Sequence, residues 1–183
     1  TRGNERSIVT SVYNRIAIDA STVNIVHARL DDNNRFLEEI NSTLNDCLTL
    51  EANKDQTARA FRQDIFEVMM DKGVVAIVPV ELSDDPNTTG SHDILTLRAG
   101  EIIEWFPDKV RVKVYNDISG KREELILNKS QVGIVPNPLY AVMNEPNSTL
   151  QRLIRKLNLL DVIDEQSGSG KLDLIIQLPY VIK

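Results

Sequence analysis

Residues 55–81 constrain the fold more than any other part of this sequence. A helix with Asp55 as its N-cap is predicted there, with a core face at Ala58, Phe61, Ile65, Val68 and Met69. Gly73 suits the left-handed conformation that closes such a helix. The following run at 74–80, Val-Val-Ala-Ile-Val-Pro-Val, is unbroken and apolar, as in a buried strand. A helix that leads directly into a buried strand predicts a domain in which the two pack together.

The rest of the chain extends this pattern to an α+β fold with mixed or antiparallel sheet segments. Val110, Val112 and Val114 alternate with polar residues, and the turn-forming residues 116–120 follow, so a β-hairpin is predicted at 110–128. The three main helices are predicted at 6–21, 55–72 and 148–165.

Shorter elements are predicted between these. They are a strand at 23–30, a turn at 31–34, a short helix at 41–49 capped by Asn41 or Ser42, and strands at 74–80 and 94–98 joined by a polar loop. The opening helix has Ile8, Val12, Ile16 and Ala20 at a spacing of four, with Val9, Tyr13 and Ala17 beside them, which predicts one wide apolar face.

The helix at 148–165 carries its charges against the helix dipole. Ser148 is its predicted N-cap, and its predicted buried stripe is Leu150, Leu153, Ile154, Leu157 and Leu160. The basic residues Arg152, Arg155 and Lys156 lie in its first half, whereas acidic residues lie at its C-terminal end. We hypothesise that the three basic residues contact a neighbouring subunit; the alternative is a solvated charged face.

Composition divides the chain into one large domain and a short continuation. An α+β domain is predicted at 1–166, and a Gly/Ser joint with the start of a further segment at 167–183. The chain begins without Met and stops within an apolar stretch, so we expect it to be a piece of a longer protein.

The charge balance restricts the partners. The chain carries 27 acidic and 21 basic residues, a net charge of −6. Tight binding in a DNA groove needs clustered basic residues that displace counterions, so this composition argues against it. The apolar run at 74–80 is far shorter than the roughly 20 residues of a spanning helix, so no membrane association is expected.

Residues able to do chemistry are few and scattered. Cys47 is the single cysteine and is expected to be a small core residue. His27 and His92 lie far apart in sequence, and no His or Cys spacing typical of a metal site is present. Adjacent carboxylates such as Asp84 and Asp85 point apart on a strand or turn, which makes them poor general acid–base pairs. We therefore expect no catalytic residues, no metal and no cofactor.

Trp105 and Phe106 form the most prominent aromatic pair. A nucleic-acid stacking platform needs interleaved Arg or Lys, but Glu101, Glu104 and Asp108 surround this pair. Packing in the core or against another subunit is the preferred interpretation.

Four stretches follow one another in an order shared with a known family. They are helix 11–20 with segment 26–30; helix 56–72 with Gly73 and the strand after it; Glu101–Pro107 with strand 110–115; and Asn137–Tyr140 with helix 148–165. In this order they resemble the portal proteins of tailed double-stranded DNA phages, of the long-tailed siphophage class. The glycine-rich form common before the last helix is absent, and the family's channel-lining helices and clip would lie beyond Lys183. The resemblance therefore covers mainly the outer wing.

The resemblance implies a structural protein rather than an enzyme. It implies a closed ring of about twelve identical subunits at one capsid vertex. A separate terminase would pump double-stranded DNA through the ring, and capsid and tail-connector proteins would contact it. The expected location is the virion, and the host cytoplasm during assembly.

Two other interpretations remain open at this point. One is a small metal-dependent hydrolase that uses the acidic loop 83–93 with His92. The other is an adaptor domain that binds a different protein through the Trp105 region.

Overall fold

The structure, a computed structural model, describes residues 7–84, 93–143 and 149–168. The chain divides into two compact units. One is Val12–Ala141, and the other combines Thr1–Ser11 with Val142–Lys183. The fold is α+β, as the sequence predicts.

The helix-to-strand segment of the first unit forms as predicted except at its start. Helix α3 spans Ala58–Lys72, and strand β5 spans Val74–Leu82. Gly73 has a φ of 80° and its N–H donates to Met69 O, which closes the helix. The N-cap is Thr57, whose hydroxyl accepts from the Ala60 N–H. Asp55 as N-cap is therefore wrong, because Asp55 lies in the turn between the short strands β3 (Glu51–Asn53) and β4 (Gln56–Thr57) and its carboxylate binds Arg98.

A five-stranded antiparallel sheet forms the centre of the unit. Its further strands are β6 (Ile94–Trp105), β7 (Lys109–Asn116), β8 (Lys121–Asn128) and β9 (Gly133–Pro136). The order across the sheet is β8-β7-β6-β5-β9. The predicted hairpin at 110–128 is confirmed as β7 and β8, paired from Lys109–Asn128 to Asn116–Lys121.

Strand β6 divides the sheet into two halves. Its first half pairs with β5 up to Gly100, and its second half pairs with β7 from Glu101 onward. A side chain at Gly100 would collide with Val112, so only glycine allows β7 to approach this closely.

The sheet has a core on each face. One core joins Phe61 and Ile65 of α3 to Val75 and Leu97 of the sheet, together with Cys47 and Ala52. The other is formed by Ala76, Val78, Val110, Val112, Val114 and Val132. Val110, Val112 and Val114 are all buried, as the period of two in their strand predicts.

The N-terminal part of the chain differs more from the predictions. Helix α1 spans Ser7–Ala20, but Ile16 is 42% exposed, and Ala17 is the buried residue in this turn. The predicted strand 23–30 is reduced to β1 (Ala28–Leu30), which pairs with an unpredicted strand β2 (Phe36–Glu39). The strand is short because β2 runs only to Glu39, close before helix α2 (Thr43–Thr49). Beyond the strand the pairing continues with one hydrogen bond, from the Ile40 N–H to His27 O at 2.8 Å.

Local signals around these elements are confirmed. Ser42 caps α2 by accepting from the Asn45 N–H, which decides between the two predicted caps. The turn at 31–34 forms with Asn34 at a φ of 59°, and Asp31 Oδ1 accepts from the Asn33 and Arg35 N–H groups.

A buried arginine joins the helices of this unit. Arg62 of α3 is 6% exposed. Its Nε donates to Ser21 O at 3.1 Å, beyond the end of α1, and its Nη1 donates to Leu48 O at 2.8 Å, in the last turn of α2. The carbonyls at helix C-termini carry partial negative charge, so the guanidinium is held by two helix ends.

A short helix, α4, spans Tyr140–Met143. The second unit is described mainly by helix α5, Thr149–Gly168. The predicted cap Ser148 lies outside the described residues. The predicted stripe is only half correct, since Ile154 and Leu157 are half-buried but Leu153 is 46% and Leu160 54% exposed. The half-buried side is rotated toward Gln151 and Asn158.

Helix α5 is also longer than predicted. It continues to Gly168, so the residues at 166–168 that the sequence assigns to the joint are helical, and the remainder of the joint lies outside the described residues. None of the described helices combines the length and apolar character that a membrane crossing requires.

Candidate subunit interface

The first surface of interest is the turn between β6 and β7. The Phe106 N–H donates to Lys109 O at 2.9 Å. Lys129 Nζ also stabilises the turn, because it donates to Pro107 O at 2.8 Å. Trp105 is 53% exposed, so it is not a core residue. The Lys129 ammonium lies 5.7 Å from the Trp105 ring centroid, and the Arg111 guanidinium lies 5.8 Å from that of Phe106. Two cations therefore flank two accessible rings.

A pocket of about 370 Å³ opens beside this turn. It is lined by Phe106, Pro107, Asp108, Lys109 and Ile126. Ile126 belongs to β8 at the edge of the sheet and is 54% exposed. An apolar side chain from another molecule would gain contacts there that solvent does not offer.

The second surface is the β1–β2 hairpin, which the sequence patterns did not single out. Leu30 and Phe36 face each other across the two strands and are 51% and 63% exposed. Leu37 is 57% exposed. The sequence signal that could have indicated this surface is the pair Phe36-Leu37, two large apolar residues within the otherwise polar segment 31–39.

The third surface is on α5, in the other unit. The predicted interface residues Arg152, Arg155 and Lys156 are all exposed. The Nε of Arg155 donates to Gln151 O at 3.2 Å, one turn earlier. Leu153, Leu159, Leu160, Val162 and Ile163 are also exposed, between 39% and 60%. The basic residues therefore share this helix with a considerable apolar surface. Trp105 and Phe106 belong to Val12–Ala141, so the five candidate residues are divided between the two units.

The hydrolase interpretation depends on the loop 83–93, of which only Ser83, Asp84 and Asp93 are described. The neck of the loop is closed by the Ser83 N–H, which donates to Asp93 O at 2.9 Å, and by the Asp93 N–H, which donates to Ser83 Oγ at 2.9 Å. His92 and Asp85 lie outside the described residues. Within the part of the chain that the structure describes, no group of three His, Cys, Asp or Glu side chains is placed to hold a metal ion.

His27 has a structural environment. Its Nδ1 lies 2.8 Å from Ser42 Oγ, and its backbone N–H donates to Asn45 Oδ1 at 2.8 Å. Asn45 Nδ2 donates in turn to Glu39 Oε1 at 2.8 Å. The network ties the end of β2 to the start of α2. His27 lies before β1 rather than within a strand, which corrects the predicted location.

An ionic cluster around a buried arginine stabilises the hairpin turn. Arg98 of β6 is 5% exposed and binds two carboxylates, Asp55 at 2.6 Å and Asp117 of the β7–β8 turn. Its guanidinium also lies 4.9 Å from the Tyr115 ring centroid. A buried arginine between two carboxylates and an aromatic ring holds three separate segments together, which is a structural role.

Cys47 is predicted to be unreactive in the folded protein. It is 1% exposed, its Sγ donates to Leu95 O at 3.2 Å, and burial raises the pKa of its thiol. Because the thiolate is the nucleophile, a raised pKa and exclusion of solvent both slow alkylation. A chromogenic disulfide reagent at neutral pH should titrate no thiol in the native chain and one after denaturation. Rapid native labelling would contradict the core assignment.

Comparison of the chain with models of known protein families and with curated proteins found no match.

Proposed function

We propose that this chain is a subunit of a phage portal ring and acts by self-association rather than by catalysis. The observation that carries the proposal is the exposure of apolar and aromatic side chains on both units, at the Trp105 turn, on the β1–β2 hairpin and along α5. Large apolar side chains gathered in this way are typical of surfaces that contact another protein. The resemblance supplies the kind of assembly, a closed ring.

Two of the segments that carry the resemblance contact each other. The Asn137 N–H donates to Gly73 O at 2.8 Å, and the Tyr140 ring lies against Gly73 at the end of α3. Two stretches far apart in sequence thus form one structural unit.

The charge of the chain suits a conduit for DNA. A net charge of −6 in each of about twelve copies gives a ring charge of about −70. If part of this charge faces the bore, it would repel phosphates, whereas a bore rich in Lys and Arg would bind them and slow translocation. Under this proposal the duplex passes through the ring without being gripped.

The size of the protein in solution tests the proposal. About twelve copies of at least 20.6 kDa each give an assembly of about 250 kDa or more. Light scattering and negative-stain images of the gene product at its natural length should show such rings. A monomer that turns over a substrate, or one that loses a metal-dependent activity when Asp84 and Asp85 become alanine, would replace the proposal with the hydrolase interpretation.

Charge reversal on α5 is the second test. We expect Arg155→Glu with Lys156→Glu to reduce the ring fraction, because two exposed cations that meet a neighbour would become repulsive. Sedimentation velocity at fixed protein concentration measures the loss. Arg15→Glu with Arg59→Glu is the matched control, since both residues are exposed and lie outside α5. Equal assembly of the α5 variant and the control would show that these charges are only solvated.

A second candidate function is an adaptor domain. It is favoured by the pocket beside Trp105 and Phe106, which is accessible and flanked by cations. It predicts a monomer that retains binding of a different protein, and loss of that binding in Trp105→Ala.

A further inference from the structure

Two surfaces of the unit Val12–Ala141 are apolar and exposed to solvent. We call Leu30, Phe36 and Leu37 of the β1–β2 hairpin the knob, and the pocket lined by Phe106, Pro107, Asp108, Lys109 and Ile126 the socket. The knob exposes apolar side chains, and the socket is a shallow, open depression of about 370 Å³. Both are on the surface of the same unit.

The knob gains stability when it is covered. All four residues of β2 are exposed. A two-stranded hairpin in water is marginally stable, and the cross-strand pair Leu30–Phe36 leaves more than half of each side chain in solvent. An exposed ion pair, Arg29 with Glu38 at 2.8 Å, contributes little.

The two surfaces also have opposite charge. The hairpin segment 27–40 contains two basic and four acidic residues, a net charge of −2. The segment 104–131 around the socket contains six basic and five acidic residues, a net charge of +1, and within it Arg111 pairs with Glu104 at 2.9 Å. Lys109 lines the socket, and Arg111 and Lys129 lie against the neighbouring rings. Complementary potentials of this kind orient partners and exclude wrong ones.

The occupant that fits both properties is a second copy of this chain. Phe36 of the knob and Ile126 of the socket are both exposed in one copy, so one copy does not cover its own surfaces. Knob and socket differ from each other, so their contact is heterologous. Contacts of this type leave a free knob and a free socket at each end until a ring closes.

We propose that the β1–β2 hairpin of each subunit inserts Phe36 into the Phe106–Ile126 socket of the next subunit. This inference rests on the proposed ring and names the surfaces that meet in it. It is independent of the α5 charges, which belong to the other unit.

Cysteine cross-linking between separately labelled copies tests the contact. Phe36→Cys and Ile126→Cys are prepared as separate variants at exposed positions, in the gene product at its natural length. The native Cys47 is buried and does not interfere. The two variants are mixed before assembly and oxidised mildly, because a disulfide forms only between residues whose Cα atoms approach within about 7 Å. Ile118→Cys, at a position that is 98% exposed in the β7–β8 turn, is the control partner for Phe36→Cys.

The expected result is a disulfide-linked pair in the mixture of Phe36→Cys with Ile126→Cys. Each variant alone, and Phe36→Cys with Ile118→Cys, should give none. Normal rings without the linked pair would overturn this inference and leave the proposed function standing. Equal cross-linking of Phe36→Cys with itself would also overturn it, because that result requires a symmetric contact. A monomer at every concentration, without a linked pair, would end both.

Discussion

Replacing Arg62 with methionine should lower the free energy of unfolding by about 3 kcal/mol. Methionine keeps much of the apolar stem, but the Nε and Nη1 donors are lost, and the carbonyls of Ser21 and Leu48 lose those partners. The favourable position of a cation at two helix C-termini is lost as well. Urea denaturation followed by circular dichroism measures the change, with the slope of the transition checked for two-state behaviour.

The matched control for Arg62 is on the same helix. Arg59→Met makes the same substitution at an exposed position of α3, and we expect a change within about 0.5 kcal/mol. Arg62→Lys should lie between the two, because one ammonium cannot reproduce the fork of the guanidinium. Similar losses for Arg62→Met and Arg59→Met would show that the buried hydrogen bonds contribute nothing net.

Replacing Gly73 with alanine should also cost about 3 kcal/mol, from two separate causes. At a φ of 80° an L-residue is strained by about 1–2 kcal/mol. In addition, the new Cβ would lie 2.5 Å from Tyr140 ring carbons, so the ring must move and its packing on the end of α3 is lost. Thermal and urea unfolding of the variant measure the sum.

Two comparisons separate these causes. Gly120→Ala has a similar φ of 65°, but its Cβ would approach only Tyr115 Oη at 3.8 Å, so we expect a loss of about 1 kcal/mol from conformation alone. In a Tyr140→Ala background, Gly73→Ala should likewise cost only about 1 kcal/mol. If Gly73→Ala and Gly120→Ala lose the same amount in the natural background, the contact with Tyr140 has no energetic weight.

The aromatic pair and the basic helix show how far sequence patterns carry a site prediction. Trp105, Phe106, Arg152, Arg155 and Lys156 could be selected because aromatic residues in acidic surroundings and charges opposed to a helix dipole are visible in one segment. Phe106 lines a pocket with Ile126, and that pocket was not predictable, because it forms only when β8 lies beside the β6–β7 turn. The exposure of Leu30 and Phe36 was not predictable either, since burial depends on what the rest of the chain covers.

The sequence by itself determined the elements whose signals are local. The Gly73 termination of α3 and the β7–β8 hairpin each depend on a few neighbouring residues, whereas for the cap of α2 the sequence left Asn41 and Ser42 open and the structure selected Ser42. Only the tertiary structure decided that Asp55 binds Arg98 instead of capping a helix, that Arg62 is buried between two helix ends, and that Leu153 and Leu160 remain exposed. Those outcomes depend on which distant groups arrive at the same place. Side-chain burial and ion pairing are decided by long-range packing. The periodicity of a single segment carries no information about which distant residues will pack against it.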